Sequence, residues 1–563
     1  MDINAQLASI KRERVPSEFD RIVGFPLDFI NNPKKDNSDL IDYWTEYFRW
    51  NGSEATLRAS QAIVCETLKR YGSALAVVSV GHGKSLSALL AGAVVKAKNP
   101  LILVPPALVT QMKEAAQYWS LHFNFIIPRI ESYGILSTKT DLLSTLAPDL
   151  IVADEAHYLK NKQSNRTKRF IRYFQENPSC KFLGLSGTIT NKSLLDYDHL
   201  LYISLRERAP IPFDKYRLQA WAACLDPDGE PTKADILSMS PLHKWAEEHF
   251  PKSASNWTMD FREKIRKSYR LRLFTTPGVI ITVPGSCSAS LYLVNSNIPH
   301  SKKVKKALKD LDSFWMLPNK EPLADASIKS SAYKNLSLGF YYTWDWGETG
   351  VDEEWLQAKR RLNREIGIVL RYSSLEGRDS PALVKKWVEA GGGNDRLRKA
   401  YWTWENIKHR ASPKTVPIWI CKDKIEYISK YLRNSSVPII AWYKSLAIEE
   451  AFREEGFDIY GAGSSPPKGD TCLASIAVHG KGRNLQQYSN CLIMEPPSGG
   501  AAFEQLLGRT HRSGQLADAV YWHYLDYGNS LKRAKSHAEY IEQSTGTIQK
   551  LNQATLYKQA FGQ

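Results

Sequence analysis

The feature that most constrains the fold is a repeated alternation of short apolar runs with helical patterns. The first group of runs lies at 73–80, 101–104, 125–128, 149–153 and 181–186. The second group lies at 437–443, 472–478, 490–496 and 519–525. Strands that alternate with helices indicate a parallel sheet covered by helices on both faces. We therefore predict an α/β fold with two parallel-sheet lobes.

Between the two groups the composition changes, and this change defines the predicted domains. The intervening stretch is rich in Trp, Tyr, Arg and Lys, and it contains helical patterns such as 353–374. A chain of 563 residues is also too long for one hydrophobic core. The predicted segments are an N-terminal extension (1–52), a first lobe (53–205), a mostly helical insertion (206–415), a second lobe (416–530) and a helical C-terminal tail (531–563).

Charge and cysteine content restrict the partners and the compartment. Lys and Arg outnumber Asp and Glu by 75 to 59, a net charge of +16, which favours a polyanionic partner. Charge alone leaves nucleic acid open, because many basic proteins never bind it. None of the seven cysteines forms a C-x-x-C pair, so reduced thiols are expected rather than a disulfide framework or a zinc site. No apolar run reaches the ~18 residues of a membrane span, and the N-terminus has no signal-peptide core.

Gly81-His82-Gly83-Lys84-Ser85 lies between a strand pattern and a helix pattern, as a phosphate-binding loop does. Backbone N–H groups of such a loop and the following helix N-terminus bind phosphate oxygens. Lys84 would reach the β- and γ-phosphates, and Ser85 would hold Mg²⁺. The general pattern has glycine where this chain has Val78, and a chance turn is the alternative interpretation.

Two adjacent acids, Asp154 and Glu155, follow an apolar strand pattern at the end where ligands of α/β sheets bind. Asp154 suits Mg²⁺, and Glu155 suits polarisation of an attacking water. The alternative is a solvated pair of acids that opens a helix. Near the C-terminus, Gln505, Arg509 and Arg512 are spaced i, i+4 and i+7 on one predicted helical face. Such a face could present two guanidinium groups to ATP held by the other lobe, or it could be a solvated surface helix.

The order of these motifs resembles the superfamily 2 helicases, in particular the Swi/Snf-type translocases and their bacteriophage-encoded relatives. The resemblance covers about 55–205 and 416–530, and it implies two RecA-like lobes. It is carried by LRASQ (57–61), VSVGHGKSLSALL (78–90), LVPP (103–106), ESY (131–133), DEAH (154–157), LSGT (185–188), GKGRNLQ (480–486) and QLLGRTHRSGQ (505–515).

The resemblance also implies roles for individual residues. ATP would be bound by Arg58, Gln61, Gly81, His82, Gly83, Lys84, Ser85 and Gln505. Catalysis would depend on Lys84, Glu155, Arg509 and Arg512, with Mg²⁺ on Ser85 and Asp154. Hydrolysis would be coupled to lobe movement by His157, Ser186, Gly187 and Thr188. Nucleic acid would contact Pro105, Pro106, Ser132, Tyr133, Gly482 and Asn484.

The function expected from this resemblance is an ATP-dependent DNA helicase or translocase in DNA replication, recombination or repair. It would act as a cytoplasmic monomer, in the bacterial host cytoplasm if phage-encoded, with replication or recombination proteins as partners. A duplex translocase without strand separation and an ATP-regulated nucleic-acid binding module remain alternatives. Aromatic residues at 343–346 and 401–404 could stack on bases or pack in a core. The basic runs at 302–306 and 359–361 could bind phosphates or be solvated helix faces.

Overall fold

A computed structural model describes residues 18–32, 36–78, 83–139, 141–162, 164–190, 193–246, 259–281, 287, 289–347, 350–372, 381–461, 463–467, 469–480, 483–512, 514–547 and 549–558. It contains two parallel sheets, of six and seven strands, and one antiparallel pair of strands. The predicted α/β class with two parallel-sheet lobes is therefore confirmed.

The first sheet has the strand order β3-β2-β4-β5-β1-β6, with every neighbouring pair parallel. Its strands are β1 (Ala74–Val77), β2 (Pro100–Val104), β3 (Arg129–Ser132), β4 (Leu150–Asp154), β5 (Lys181–Ser186) and β6 (Val279–Ile281). Alternate side chains enter two separate cores: Leu75 and Val77 pack on one face, and Ala74 and Ala76 on the other. Burial on both faces explains why the strands are continuous apolar runs.

The second sheet has the order β11-β12-β10-β13-β14-β7-β15, again parallel throughout. Its strands are β7 (Ser290–Asn295), β10 (Ile439–Tyr443), β11 (Ile459–Tyr460), β12 (Cys472–Ser475), β13 (Asn490–Ile493), β14 (Ala519–Tyr524) and β15 (Thr555–Lys558). The first and second lobes are named here after these two sheets. The antiparallel pair is β8 (Phe340–Asp345) with β9 (Lys414–Trp419).

Helices cover the sheets and form most of the segment between them. Those before β6 are α1 (Glu18–Gly24), α2 (Ser38–Phe48), α3 (Ala59–Tyr71), α4 (Lys84–Val94), α5 (Val109–Ser120), α6 (Ile135–Thr138), α7 (Leu142–Leu146), α8 (Asn165–Glu176), α9 (Asp198–Leu205), α10 (Lys215–Leu225), α11 (Lys233–Ser238) and α12 (Met259–Phe274). Those after β7 are α13 (Lys302–Phe314), α14 (Ala326–Leu338), α15 (Glu353–Tyr372), α16 (Pro381–Glu389), α17 (Asp395–Ile407), α18 (Asp423–Asn434), α19 (Leu446–Glu454), α20 (Ile476–His479), α21 (Gly500–Leu507), α22 (Ser530–Thr545) and α23 (Lys550–Gln553). Short 3₁₀ turns occur at Pro106–Leu108, Ala156–Leu159, Leu194–Asp196, Arg206–Arg208 and Ser240–Trp245. No helix in the described ranges is long and apolar enough to cross a bilayer.

The lobes extend beyond the boundaries that we predicted from sequence. β6 and β7 lie within the predicted insertion of 206–415, yet β6 joins the first sheet and β7 the second. The predicted helical tail contributes β15 to the second sheet in addition to helices α22 and α23. These strands pair at or next to sheet edges, and β6 and β15, with three and four residues, carry too little pattern to be recognised in sequence.

One predicted strand is misplaced. The run FIIP (125–128) has no strand structure, and the third strand of the first lobe is Arg129–Ser132. Ile126 is 82% exposed and Ile127 is exposed as well, so the two isoleucines that favoured a strand at 125–128 lie outside the core.

The helices between the lobes are held together by aromatic packing. Trp355 makes edge contacts with the rings of Trp344, Trp346 and Trp404. Tyr401 is buried in the same core, whereas Trp402 is 51% exposed. Most aromatic residues of 343–346 and 401–404 therefore belong to a core, which is the packing interpretation rather than the stacking one.

A helix from each lobe joins the two halves of the molecule. α12, which precedes β6 of the first sheet, packs against α22, which follows β14 of the second. Arg266 Nη1 donates a hydrogen bond to Gln543 Oε1 at 2.8 Å, and the Arg266 guanidinium lies 5.1 Å from the centre of the Tyr540 ring. The Tyr540 hydroxyl in turn donates to Asp226 Oδ1 at 3.4 Å. The lobes are thus connected by a buried side-chain contact as well as by the chain itself.

Candidate active site

A cleft between the two lobes brings together residues that are more than 400 positions apart. From the first lobe it is lined by Gly83, Lys84, Ser85, Pro105, Leu108, Gln111, Met112, Asp154 and Glu155. From the second lobe it is lined by Asn484, Gln505, Arg509 and Arg512. The phosphate-loop, paired-acid and arginine motifs predicted separately from sequence therefore face one another across this cleft.

The N-terminus of α4 forms the floor of the cleft. Gly83 has φ +76°, a conformation that favours glycine, and it is the residue before the first turn of the helix. Lys84 Nζ donates to Val78 O at 3.2 Å and lies 3.6 Å from Glu155 Oε1. A helix N-terminus together with a lysine is a favourable environment for phosphate oxygens. Gly81 and His82, also predicted to bind ATP, lie outside the described residues.

Gln61 supports this loop from behind. Its Nε2 donates to Gly83 O at 3.2 Å, and its Oε1 accepts from Arg58 N at 2.8 Å. A Cβ added to Gly83 would lie 2.3 Å from Gln61 Nε2, so the two residues are in close contact. In the described part of the chain, Arg58 and Gln61 are not among the side chains that line the cleft. Gln61 therefore holds the backbone of the predicted phosphate loop at Gly83.

Asp154 and Glu155 occupy the carboxyl end of β4, as predicted. Burial and the Glu155 charge together raise the pKa of Asp154. Burial opposes ionisation of Glu155 as well, but the Lys84 ammonium, His157 and Arg509 outweigh it and hold the pKa of Glu155 well below its usual range. Of the two acids, Glu155 is therefore the more easily ionised. It also has φ +57°, which is uncommon for a residue other than glycine and is found at functional sites.

A hydrogen-bonded chain leads from Glu155 to the end of β5. Glu155 Oε2 lies 3.3 Å from His157 Nδ1 and accepts from Ser186 Oγ at 3.4 Å. His157 Nδ1 also lies 3.1 Å from Ser186 Oγ, which contacts the backbone of Thr188 on both its N–H and its carbonyl side. Gly187 lies buried between the last two residues. Of the four residues predicted to couple hydrolysis to lobe movement, His157 and Ser186 contact the Glu155 carboxylate directly. Gly187 and Thr188 follow Ser186, and Thr188 contacts its hydroxyl group.

On the opposite wall, the two arginines differ from each other. Arg509 is 5% exposed, and it donates from Nε to Gln505 O at 2.8 Å and from Nη1 to Arg483 O at 3.0 Å. Burial, followed by the charge of Arg512, lowers the pKa of Arg509 to about 10. Arg512 is half-buried and donates from Nη1 to Asn484 Oδ1. Burial and the nearby Arg58 lower the pKa of Arg512.

The prediction that Gln505, Arg509 and Arg512 share one helical face is wrong in one respect. α21 ends at Leu507, and Gly508 caps it, so both arginines follow the helix in a turn. They nevertheless line the same cleft as Gln505, because Arg509 folds back onto the Gln505 carbonyl. Glycine is common where helices end, and this signal could have placed the boundary correctly.

The residues on the metal side fit a hard divalent cation. Asp154 Oδ1 is buried and, within the described part of the chain, has no hydrogen-bond partner. Ser85 lines the cleft together with Asp154. A carboxylate and a hydroxyl are oxygen donors of the kind that Mg²⁺ prefers. Burial is the main cause of the raised pKa of Asp154, and an adjacent cation would offset this cost of ionising the carboxyl group.

The predicted nucleic-acid contacts are distributed differently from our expectation. Pro105 and Asn484 line the cleft itself. Tyr133 is fully buried and donates its hydroxyl proton to Asp154 O at 2.8 Å, so its predicted contact with nucleic acid is wrong. Pro106 is exposed and Ser132 is half-buried. Gly482 lies outside the described residues.

Sequence reasoning missed one part of the cleft wall. Leu108, Gln111 and Met112 come from the start of α5 and the turn before it. Their spacing of three and four residues after LVPP places them on one helical face, which is a signal that could have found them.

The arrangement combines a helix N-terminus that carries a lysine, two acids with pKa values shifted in opposite directions, and two arginines on the facing lobe. Such a site can bind a polyphosphate, position a water beside Glu155 and stabilise charge that develops on a terminal phosphoryl group. In comparisons with known proteins, no protein-family model matches this chain, and no curated protein has significant sequence similarity to it.

Proposed function

We propose that this protein is an ATP-dependent DNA helicase or translocase of the superfamily 2 type. The observation that supports this most is the shared cleft, in which Lys84 and Glu155 of one lobe face Arg509 and Arg512 of the other. A phosphate loop alone occurs in many enzymes, whereas arginines on a second parallel-sheet lobe fit a site that lobe closure completes.

In the proposed mechanism, Lys84 and the N-terminus of α4 bind the β- and γ-phosphates of ATP. Ser85 and Asp154 would hold Mg²⁺, which supplies charge neutralisation at those phosphates. Glu155 is kept ionised by Lys84 and accepts a hydrogen bond from the attacking water. Arg512 approaches the γ-phosphate from the second lobe, and comparable arginines contribute roughly 10³–10⁵ in rate.

Coupling to movement follows from the contacts around Glu155. A change in charge at the γ-phosphate alters the Glu155–His157–Ser186 chain, which ends in the loop after β5. When Arg512 is released from phosphate, its guanidinium can still donate a hydrogen bond to Asn484, which lies on the same lobe. Opening and closing of the cleft would then move the two lobes along a nucleic-acid strand.

DNA as the partner rests on the motif resemblance and on the net charge of +16. A polyanionic partner is favoured by such a charge, and no contact in the described part of the cleft selects DNA over RNA. The choice between strand separation and duplex translocation also depends on the substrate. The chain would work in the cytoplasm with replication or recombination proteins.

Two single substitutions test the cleft. Lys84→Ala and Arg512→Ala should each abolish DNA-stimulated ATP turnover while DNA binding is largely retained. Lys168→Ala, at an exposed position of α8, is the matched control and should behave as wild type. Normal turnover in either cleft variant would contradict the proposal.

ATPase stimulation by single-stranded DNA, duplex DNA, forked DNA and RNA, compared at one stated salt concentration, separates the remaining alternatives. Preference for duplex without strand displacement would indicate a translocase. Preference for forks or single strands with displacement would indicate a helicase. Nucleic-acid binding without any ATP turnover would indicate the regulatory binding module instead.

A further inference from the structure

The two basic runs noted in the sequence have different environments in the structure. In the run at 359–361, Lys359 Nζ lies 4.4 Å from the centre of the Trp404 ring, and burial lowers the pKa of Lys359. Arg360 is half-buried. This run is therefore largely occupied by packing between α15 and α17, and its charge is explained by the fold.

The run on α13 is not explained in this way. The lysines of the helix point to solvent, and its apolar residues Val304, Leu308 and Leu311 are buried. The exposed set is Lys302, Lys303, Lys305, Lys306 and Lys309. Among the residues that the structure describes, none of these five ammonium groups has a hydrogen bond or an ion pair, although the nearby Lys329 pairs with Asp312.

The position of these lysines within the helix is also unfavourable for folding. Four of the five lie in the first two turns, and the first turn contains no acidic residue. The N-terminal end of a helix carries partial positive charge and is stabilised by anions. Clustered ammonium groups at this end therefore oppose helix formation, so stability does not account for their presence.

The spacing of the lysines matches an extended polyanion. Lys302, Lys305 and Lys309 follow one face and span about 10 Å at the helical rise of 1.5 Å per residue. One DNA strand places a phosphate at about every 3.4 Å along the duplex axis, so this face covers about three phosphates. Lysine is depleted at protein–protein interfaces, which favours nucleic acid over an acidic protein as the occupant.

The helix also lies beside the second lobe. The pKa of His300 is lowered mainly by burial and then by the charges of Lys424 and Lys305, so Lys305 lies near His300. The His300 ring lies 4.8 Å from the ring of Tyr527, which follows β14. Tyr527 lines a cavity with Lys334 and Lys444 at the carboxyl ends of β10, β13 and β14. Further ammonium groups thus lie at the carboxyl ends of interior strands of the second sheet.

Two carboxylates also line that cavity, but both are already engaged. Glu495 Oε2 accepts hydrogen bonds from the backbone N–H groups of Lys444 and Ser445, and Asp526 accepts from those of Ser530 and Leu531. Their charge is therefore partly compensated by backbone dipoles, and the adjacent lysines have no carboxylate within ion-pair distance in the described part of the chain.

We propose that the exposed lysines of α13 form a second nucleic-acid contact, separate from the ATP cleft, that binds the phosphate backbone without reading sequence. This inference rests on the proposed function, since it assumes a nucleic-acid partner. It assigns a role to part of the segment between the lobes: α13 holds the strand or duplex beside the second lobe while the cleft opens and closes.

The test is the salt dependence of binding to a short labelled duplex and to a single strand of the same length. The variant carries Lys302→Glu, Lys305→Glu, Lys306→Glu and Lys309→Glu. Glutamate near a helix N-terminus is favoured by the helix dipole, so α13 should remain folded. The control carries Lys168→Glu, Lys215→Glu, Lys233→Glu and Lys430→Glu, which makes the same change in net charge at exposed positions of four other helices.

Each lost phosphate contact reduces the slope of log K against log salt by about 0.9 on duplex DNA. We expect the slope of the α13 variant to be smaller than that of wild type by about 3, and its affinity for DNA at about 0.1 M salt to be at least tenfold lower. The slope and the affinity of the control variant should be close to those of wild type. Basal ATP turnover without nucleic acid should be unchanged in both.

A slope equal to that of wild type would overturn the α13 contact and leave the proposed function intact. If the variant kept its DNA slope but lost binding to phosphatidylserine vesicles, α13 would instead be a lipid-binding surface, and the inference would also fail. Absence of nucleic-acid binding and of stimulation in the wild-type protein would refute the proposed function itself.

Discussion

Arg509 and Arg512 line the same cleft, yet the structure predicts that their removal has different effects. Arg509 is buried and donates to two backbone carbonyls of its own lobe, those of Gln505 and Arg483. Arg512 is half-buried, and its hydrogen bond goes to a side chain, Asn484. We expect Arg509→Ala to affect chiefly folding stability and Arg512→Ala to affect chiefly turnover.

The magnitudes follow from these contacts. A hydrogen bond from a charged donor contributes about 1.5–3 kcal/mol, so loss of the two bonds of Arg509 should cost about 3–6 kcal/mol of unfolding free energy. The hydrogen bond of Arg512 to Asn484 is instead exposed to solvent, where water can replace the lost donor, so removal of the Arg512 side chain should change stability by about 0.5 kcal/mol or less. Loss of an arginine that stabilises a transferring phosphoryl group costs about 10³-fold in rate, equivalent to about 4 kcal/mol of barrier.

The assay pairs urea unfolding with single-turnover ATP hydrolysis in the presence of saturating DNA, at a temperature where every variant is folded. Arg172→Ala, at an exposed position of α8, is the control for both measurements. Equal destabilisation by Arg509→Ala and Arg512→Ala would refute the distinction. Wild-type turnover in Arg512→Ala would refute the role of this arginine altogether.

Three further predictions concern residues behind the cleft and in the second lobe. Gly83→Ala places a methyl group on a residue with φ +76° and only 2.3 Å from Gln61 Nε2. This variant should bind ATP at least about tenfold more weakly in equilibrium titrations. Unchanged ATP affinity would show that the close contact between Gly83 and Gln61 does not matter for binding. Tyr133→Phe leaves the Asp154 carbonyl without its buried donor and should lower unfolding free energy by about 1–2 kcal/mol without changing DNA affinity; a loss of affinity would restore the predicted nucleic-acid role. Burial lowers the pKa of Lys424 to about 7 in the folded protein, whereas in the unfolded chain this lysine loses its proton only near about pH 10. Between these pH values the unfolded state binds more protons than the folded state. The free energy of unfolding of the wild-type protein should therefore rise with pH by up to about 1.4 kcal/mol per pH unit. Lys424→Met should remove that rise in urea titrations, and identical pH slopes in the two proteins would contradict the assignment.

Sequence patterns were sufficient for the parts of the site that combine a strand with polar residues at its end. β4 is a continuous apolar run, so the positions of Asp154 and Glu155 at its carboxyl end were predictable from the order of residues alone. The same reasoning placed Lys84 at the start of α4. It failed for Tyr133, because a tyrosine after a strand looks the same in sequence whether its hydroxyl faces solvent or a buried carbonyl.

The lobe boundaries could not be read from sequence for a different physical reason. β6 is three residues long, and its place in the first sheet depends on pairing with β1, some 200 positions earlier. Likewise, β15 pairs with β7 although more than 250 residues separate them. Pairing of this kind is set by the tertiary fold, and a local pattern of three or four apolar residues does not encode it.

The contact between α12 and α22 limits how the two lobes could move in the proposed mechanism. α22 packs against α21, whose C-terminal turn carries Arg509, and also against α12, which is connected to the first sheet. Because Arg266 and Tyr540 form a buried contact at this junction, separating the helices would expose a guanidinium and an aromatic ring whose partners are on the opposite lobe. Rotation about this junction costs less than its rupture, since it preserves these contacts. The junction would therefore act as a pivot, and opening of the cleft would appear mainly as a change in the distance between Arg512 and Lys84.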